Sequence, residues 1–455
     1  MKEKIRIASG QGFWGDLPNA PLNQVKQGPI DYLVMDYLAE VTMSIMQKQR
    51  MRNEKYGYAR DFVDVVSSIF NEIINKGVKV ISNAGGVNPG ACKDAILEAA
   101  DKAGVSGLKI AVVDGDDILP DLDKLIADGH LLKNMETDEP VTTVKDHLLS
   151  ANIYFGCKPI IEALEKGADV IITGRVTDTG LTLAPMVYEF GWDIEDYDKM
   201  ASGTIAGHII ECGGQVSGGN FTDWEVVDDL VEIGFPIIEA YPDGSFCVTK
   251  HEGTGGMVSE MTVKEQLLYE IGNPAEYITP DCVADFTTLK LKQDGDNRVL
   301  VSGIKGRKET KTYKVSASYI DGYKLSSTLV YCWPDAVKKA KKAGEILLKR
   351  ADNLGITFRE TNIELVGLNA CNEDETELSK DQNHLNEVQL RISVYGDSRE
   401  ALDRFGKEIA PLILTGPSGV TGFAGGRPKA SEVVAYWPAL LDKAAATPRV
   451  SMYEL

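Results

Sequence analysis

The feature that most constrains the fold is an alternation of short apolar runs with helical segments over roughly the first 275 residues. Strands that alternate with helices need crossover connections, and these place the strands parallel in one sheet. The helical segment 89–104 begins with proline and ends with glycine, the usual order at helix ends. We therefore predict an α/β fold whose mostly parallel sheet has helices on both faces. The apolar runs are KIRIAS, DYLVMDYL, VKVISNAGG, LKIAVVDGDD and ADVIITGRVTD.

The pattern changes near residue 280, where the strand-like segments begin to alternate apolar and polar residues. This alternation is typical of antiparallel strands that have one solvated face. Two amphipathic helices, at 334–355 and 398–414, accompany these strands. We therefore predict two domains: an α/β core domain at 1–280, which carries the site, and a smaller α+β domain with antiparallel strands at 281–455.

The charge and residue composition argue against some classes of binding partner. A net charge of −20 and a pI near 4.8 argue against binding to nucleic acid or to an anionic membrane. No apolar run is long enough for a membrane span, and the N-terminus does not resemble a signal peptide. The seven cysteines are scattered, which is typical of reduced thiols. We expect a cytoplasmic homo-oligomer, since glycine-rich and apolar surface candidates coexist with the acidic exterior.

Four of the apolar runs are followed by polar residues and glycines. In an open parallel sheet, ligands bind beyond the carboxyl ends of the strands, so these residues are candidates for one site. Each strand end alone is equally typical of an ordinary polar turn. We interpret the four together as a substrate site, with the two aspartates after the fourth run as ligands for a divalent metal ion. The substrate candidates are Asn83, Gly85, Gly86, Arg175 and Thr177, and the metal candidates are Asp114 and Asp116.

Arg175 is the clearest anion-binding candidate. A planar guanidinium can hold a carboxylate or a phosphate through two parallel hydrogen bonds. In a chain this acidic, the competing interpretation is a structural ion pair with Asp178 or Asp114. Asp178 itself is a catalytic candidate, or a further metal ligand.

The segment 203–224 carries His208, Glu211 and Cys212 at helical spacing, so all three are predicted to share one face. A histidine oriented by a glutamate is a proton-transfer pair, because imidazole titrates near neutral pH. The alternatives are a histidine that only bonds to its helical neighbour, or part of a metal site. Cys212 is interpreted as a packed side chain. The glycine-rich continuation adds three substrate-binding candidates: Gly219, Asn220 and Asp223.

A similar pattern occurs at 246–258, where polar residues leave a strand and glycines follow. His251 is the second candidate for acid–base catalysis, and Lys250 and Thr254 are substrate-binding candidates. The alternative is a hairpin-like loop with a surface histidine.

Gly10, Gly12 and Gly15 form a literal G-x-G-x-x-G after the first strand. The dinucleotide fingerprint requires this loop to open a helix, whereas prolines and a further glycine follow here. The sequence therefore argues against NAD(P) or flavin, and leaves the cofactor unknown apart from the metal hypothesis.

Several of these segments together resemble the acyclic terpene utilisation protein family, whose core domain is about as long as this chain. The resemblance covers nearly the whole chain and is densest from Asp31 to Asp285. The segments are DYLVMDYLAE, SNAGGVNP, VVDGDDI, ITGRVTDTGLTLAP, GTIAGHIIECGGQVSGGNFTDW and TKHEGTGGMV.

The resemblance implies catabolism of branched acids of the citronellol and geraniol type as coenzyme A thioesters. It suggests a lyase, either a hydratase or dehydratase or a carbon–carbon lyase, for a branched carboxylated hydroxyacyl or acyl-thioester substrate. Family members occur with a small companion protein, and no companion domain extends this chain, so we expect a separate partner. The alternative is a non-catalytic scaffold subunit that binds an acyl ligand and works with that partner.

Overall fold

A computed structural model describes residues 2–371, 385–423 and 425–455. The chain divides into two compact units: Met1–Ser318 with Tyr436–Leu455, and Tyr319–Ala435. The predicted domain boundary near residue 280 stays a prediction, because compactness does not test which segments fold independently.

The strands follow one another along the whole chain. Their bounds are β1 Ile5–Gln11, β2 Tyr32–Met35, β3 Lys79–Ser82, β4 Lys109–Asp114, β5 Leu148–Ile153, β6 Val170–Thr173, β7 Ile237–Ala240, β8 Phe246–Thr249, β9 Tyr277–Ile278, β10 Val283–Asp285, β11 Lys290–Gln293, β12 Val299–Ser302, β13 Lys305–Arg307, β14 Thr312–Cys332, β15 Glu360–Val366, β16 Glu387–Gly396, β17 Val420–Thr421, β18 Ser431–Asp442 and β19 Arg449–Glu454.

The α-helices lie mostly between the strands of the first unit. Within the described ranges, no helix has the length and apolar character needed to cross a membrane. Their bounds are α1 Ala20–Gln27, α2 Glu40–Arg52, α3 Arg60–Ser68, α4 Phe70–Lys76, α5 Pro89–Lys102, α6 Leu122–Ala127, α7 Lys158–Glu165, α8 Gly180–Phe190, α9 Tyr197–Ile210, α10 Glu260–Leu268, α11 Ala336–Asn353, α12 Arg399–Gly406 and α13 Leu412–Thr415.

The first unit contains a ten-stranded sheet with the order β11-β12-β8-β7-β1-β2-β3-β6-β4-β19. Neighbouring strands are parallel from β1 through β2, β3 and β6 to β4. The other neighbours in this order are antiparallel. The prediction of an α/β fold is confirmed, whereas the prediction of a mostly parallel sheet is wrong, because this sheet is mixed.

Two hairpins and the last strand account for the difference. Strands β7 and β8 are joined by a tight turn in which Gly244 has a φ of 90°, a conformation that costs glycine little. Strands β11 and β12 extend the sheet beyond β8, and β19 pairs with β4 at the opposite edge. Short turns join β7 to β8 and β11 to β12, so each of these two pairs enters the sheet as a hairpin without a crossover, whereas β19 reaches its edge from a distant part of the chain.

Helices cover both faces of the parallel strands. Leu33 of β2 belongs to a buried apolar cluster with Val25 of α1 and Phe62 of α3. Successive side chains of a strand point to opposite faces. Accordingly, the hydroxyl of Tyr32 donates a hydrogen bond to Glu189 of α8 across the other face (2.7 Å). The core that results fixes the carboxyl ends of the strands in space.

The second unit contains an antiparallel sheet with the order β15-β16-β14-β17. Helix α11 packs Ala340, Ala343 and Leu347 into a buried cluster with Leu390 of β16. The antiparallel strands and the helix predicted at 334–355 are therefore present, whereas the helix predicted at 398–414 is divided into α12 and α13. His384 lies outside the described residues.

Candidate active site

A cavity of about 400 Å³ lies at the carboxyl ends of the parallel strands in the first unit, and we call it the α9 cavity. Asp36 reaches it directly after β2, and Arg175 and Asp178 reach it after β6. Glu211 and Cys212, just beyond the last turn of α9, form the facing wall. The structure thus brings three residues that follow strand ends beside the helix predicted to carry the proton-transfer pair.

Small residues bring α9 close enough for this. Every residue of α9 from Met200 to Ile210 is buried. A Cβ added at Gly207 would lie 2.6 Å from the carbonyl oxygen of Thr179, which precedes α8. The glycine therefore sets the distance between the two helices, and with it the position of His208.

We expect Gly207→Ala to lower the free energy of unfolding by about 1–3 kcal/mol, because the added methyl group forces the two helices apart. Urea denaturation would measure this. Gly90→Ala in α5 is the matched control: a Cβ there meets nothing within 4 Å, and alanine favours helix. Equal stability of Gly207→Ala and the wild-type protein would contradict the packing argument.

His208 and Glu211 form a close pair on one turn of helix. The Nε2 of His208 lies 3.0 Å from the carbonyl oxygen of Gln266, and a carbonyl oxygen can only accept, so Nε2 carries a proton. The Nδ1 lies 3.0 Å from Oε1 of Glu211, an ion-pair distance when the imidazole is protonated. At this distance a proton can pass between the two side chains.

The surroundings keep this proton away from bulk water. His208 is buried between the rings of Tyr277 and Phe286, with centroids 5.6 and 5.3 Å from its own. Burial raises the pKa of Glu211, and the neighbouring His208 opposes that rise. Oε2 of Glu211 has no hydrogen-bond partner among the described residues, and Glu211 lines the cavity. Glu211 is thus the member of the pair that a ligand can reach.

Arg175 forms an ion pair with Asp178, one of the interpretations that the sequence allowed. Its Nη1 and Nη2 donate to the two carboxylate oxygens of Asp178 at 2.8 and 3.2 Å. Nη1 also donates to the carbonyl oxygen of Leu38, and the guanidinium lies 4.0 Å from the ring centroid of Tyr154. Arg175 is 2% exposed, whereas the side chain of Asp178 is 31% exposed. The arginine therefore presents Asp178 to the cavity, and its own contact with substrate stays a prediction.

Asp36 and Asn83 meet across the ends of β2 and β3. The amide nitrogen of Asn83 donates to Oδ1 of Asp36 (2.7 Å), and its oxygen accepts from the backbone of Tyr37 (2.8 Å). Asn83 is fully buried, so it holds the loop after β2 in place. Burial, with the charge of Asp178 nearby, holds the pKa of Asp36 well above its ordinary value.

The lining of the α9 cavity is acidic. It includes Asp36, Asp178, Glu211 and Glu270, and its described cation, Arg175, is already bound to one of these carboxylates. The pairing in His208–Glu211 and the raised pKa of Asp36 reduce this negative charge, but they do not reverse it. A free carboxylate on a ligand would be repelled here.

A larger cavity of about 910 Å³ lies at the ends of β3 and β4, and we call it the β4 cavity. Gly86 and the metal candidates Asp114 and Asp116 line it. Asp114 accepts a hydrogen bond from Arg449 (2.6 Å), and Asp116 accepts from Asn152 (2.8 Å). The described part of the chain contains no group of three or more histidine, cysteine, aspartate or glutamate residues arranged for a metal ion. The metal hypothesis stays a prediction.

Burial raises the pKa of Asp116 to about 7. Between pH 4 and pH 7 the folded protein retains a proton that the unfolded chain, with an ordinary aspartate pKa near 3.9, has released. This contribution to stability is present at low pH and is lost as the pH rises.

We therefore expect Asp116→Asn to gain on the order of 3 kcal/mol relative to the wild-type protein between pH 4 and pH 8. Urea denaturation across this range would measure the difference. Asp121→Asn is the control, because Asp121 lines the same cavity but is exposed. Parallel pH profiles for Asp116→Asn and the wild-type protein would contradict the prediction.

The candidates at 250–254 lie elsewhere in the first unit. Nε2 of His251 is 2.9 Å from the carbonyl oxygen of Gln24 in α1, and burial lowers the pKa of this histidine. Lys250 donates to the carbonyl and hydroxyl oxygens of Thr254 (2.6 and 3.2 Å). His251 is thus a buried residue rather than a surface one, and it does not line the α9 cavity.

The remaining candidates do not reach the α9 cavity either. Asn220 and Asp223 are exposed on the loop after α9, and the backbone N–H of Gly219 donates to Gly214 within that loop (3.1 Å). Thr177 is buried, and its backbone N–H donates to Phe155 (2.7 Å). A Cβ added at Gly85 would lie 2.5 Å from the carbonyl oxygen of Thr173, so this glycine permits close backbone packing.

Some residues of the site were not among the predicted ones. Gln11, the last residue of β1, lies beside Asp36, and its position at a strand end is the signal that could have identified it. Tyr269 and Glu270 line the cavity from beyond α10, where nothing in the sequence pattern points to them. Gly12 packs against the turn that follows α9, since a Cβ there would lie 2.6 Å from the carbonyl carbon of Cys212.

Comparison with known proteins identifies the family to which this chain belongs. No curated protein and no solved structure matches this chain. The family model described as "Acyclic terpene utilisation family protein AtuA" matches residues 5–452, nearly the whole chain. The resemblance seen in the sequence motifs is confirmed, and the chain belongs to the AtuA family of acyclic terpene utilisation.

Proposed function

We propose that this protein is a lyase that acts on a branched hydroxyacyl thioester, by adding or removing water or by cleaving a carbon–carbon bond. The observation that carries the proposal is the His208–Glu211 pair: Glu211 lines the α9 cavity, and its buried Oε2 has no hydrogen-bond partner among the described residues. A carboxylate held by an imidazole and shielded from water is suited to general acid–base catalysis. Terpene-acid catabolism, which the family name indicates, supplies the branched substrate.

The charge of the cavity supports a thioester over a free acid at the reacting end. The lining carboxylates repel a second carboxylate, whereas a thioester carbonyl and a hydroxyl group are uncharged. Any carboxyl group of the substrate would lie away from Glu211 and Glu270.

Glu211 and Asp36 each carry out one of the two proton transfers. Glu211 Oε2 exchanges a proton with the substrate oxygen, while the His208 side of the pair fixes Oε1. Asp36, with its raised pKa, donates a proton to the α-carbon in one direction and removes it in the other. In hydration, water loses a proton to Glu211 as its oxygen bonds to the β-carbon, and Asp36 protonates the α-carbon. In carbon–carbon cleavage, Glu211 would instead remove the proton of the substrate hydroxyl.

The test is incubation of the purified protein with branched hydroxyacyl thioesters, their unsaturated counterparts and the free hydroxy acids, followed by mass spectrometry. We expect interconversion of a hydroxyacyl thioester with its unsaturated form, or two shorter products from cleavage. Turnover of the free acids alone would contradict the assigned substrate class. Parallel reactions that also contain the small companion protein, encoded by a neighbouring gene, would show whether this companion is required.

The same experiment separates the lyase from the scaffold hypothesis. A scaffold would bind an acyl thioester, detectable by isothermal titration calorimetry, and would leave every substrate unchanged with or without the companion. Sedimentation of the protein alone would measure the homo-oligomer that the surface composition led us to expect.

A further inference from the structure

A second, much smaller cavity lies below the α9 cavity. It has a volume of about 10 Å³ and shares Asp36, Asp178 and Glu211 with the larger space. This volume corresponds to about one water molecule. Ser9, Gln11 and Thr182 complete the polar part of its lining, and we call it the water-sized chamber.

Two buried acceptors of the chamber lack a hydrogen-bond donor. Gln11 is 2% exposed, and its Nε2 donates to the carbonyl oxygen of Leu17 (2.8 Å). A carbonyl oxygen cannot donate, so the amide orientation is fixed, and Oε1 is the end without a partner among the described residues. Oε2 of Glu211 is the other such atom. A buried acceptor without a donor costs about 1–3 kcal/mol, so a bound donor is favoured.

The occupant must donate two hydrogen bonds and must be no larger than a few atoms. Water meets both requirements. The carboxylates of the chamber have partners without a cation, because Arg175 is bound to both oxygens of Asp178 and Nδ1 of His208 lies 3.0 Å from Oε1 of Glu211.

We infer that the chamber holds the water molecule that the reaction adds or releases, and that Gln11 is its positioning residue. The inference rests on the proposed function and favours hydration and dehydration over carbon–carbon cleavage. Water donates one hydrogen to Gln11 Oε1 and the other to Glu211 Oε2. Its oxygen bonds to the β-carbon of the unsaturated thioester, Glu211 receives the proton, and Asp36 supplies one to the α-carbon. The sum is one water added.

Two measurements on the full-length protein test this. In a high-resolution crystal structure, we expect an ordered water within hydrogen-bonding distance of Gln11 Oε1 and Glu211 Oε2, and its loss in Gln11→Met. In hydration assays, we expect Gln11→Met to lower kcat about 10- to 100-fold with KM nearly unchanged, because a misplaced reactant slows the chemical step rather than substrate binding. A structural role would not produce this split.

Gln24→Met is the matched control, because Gln24 is equally buried and its amide nitrogen donates to the backbone carbonyls of Ser9 and Pro236, but Gln24 itself does not line the chamber. We expect it to lower stability but to retain the chamber water and kcat. A manganese soak that gives an anomalous peak in the chamber would overturn the inference in favour of a cation. A chamber without density in an enzyme that hydrates, or an unchanged kcat in Gln11→Met, would overturn it as well. An ordered water in a protein that converts no thioester would overturn the proposed function, and with it the reactive role of this water.

Discussion

Glu211→Gln is expected to lower kcat for the thioester substrate about 100- to 10,000-fold, the range that one general base contributes. Glutamine has nearly the same shape, but it cannot accept the proton that the substrate oxygen releases. It can still donate a hydrogen bond to Nδ1 of His208, so the contact that holds the end of α9 is retained. We therefore expect little change in KM or in the thermal unfolding temperature. Steady-state kinetics with the thioester identified in the substrate panel would measure the effect.

Glu162→Gln is the control for this substitution. Glu162 is exposed on α7 and pairs only with Lys166, one turn further along the helix, so its replacement should leave kcat unchanged. If Glu211→Gln turned over substrate at the wild-type rate, the His208–Glu211 pair would have a purely structural role. The proposed mechanism would then have lost its base.

Arg175→Met is expected to lower the free energy of unfolding by about 3–5 kcal/mol, the cost of removing one partner from a buried ion pair. Methionine fills much of the space, but it donates nothing to Asp178 or to the carbonyl oxygen of Leu38. Asp178 would then lie uncompensated beside Asp36. Because Asp178 is 31% exposed, water can replace part of the lost interaction, and we expect a value near the lower limit. Urea denaturation of the purified variant would measure it.

Arg449→Met provides the comparison, since Arg449 is bound to Asp114 but its side chain is 72% exposed. An exposed pair contributes at most about 1 kcal/mol, so this variant should be nearly as stable as the wild-type protein. In the double variant Arg175→Met with Asp178→Asn, part of the lost stability should return, because the buried region no longer contains the unpaired charge. Similar losses for both single arginine variants would show that burial of the Arg175 pair has no special role.

Local patterns predicted much of the fold because they report local physics. Uninterrupted apolar runs such as 110–113 and 170–172 became parallel strands buried on both faces. Asn88 and Pro89 start α5 where proline and a capping residue predict it. The pattern could not reveal that β7, β8, β11, β12 and β19 join the same sheet, because strand pairing depends on which edges remain free after the parallel strands have assembled.

In the candidate site, too, local patterns predicted some contacts and could not predict others. The three-residue spacing of His208 and Glu211 predicts their contact, since one turn of helix brings such residues together. His251 has a similar polar and glycine-rich neighbourhood, yet it lies beside Gln24 in α1. Glu270, which lines the α9 cavity, does not stand out by its neighbours in the chain, and Gln11, which lines the water-sized chamber, is marked only by its position at a strand end. Proximity between distant segments has no signature in the local sequence.

The sequence by itself determined the α/β class, the strand ends where polar groups collect, the His208–Glu211 spacing and membership of the family. These depend on residue periodicity and on motifs, which are properties of short segments. Only the tertiary structure decided that the sheet is mixed, that Arg175 is bound to Asp178, and that Gln11 and Glu211, each with a buried acceptor that lacks a described partner, line one small chamber. Those outcomes arise when packing brings distant segments together and buries them, because burial determines which charges must pair and which acceptors remain for a ligand.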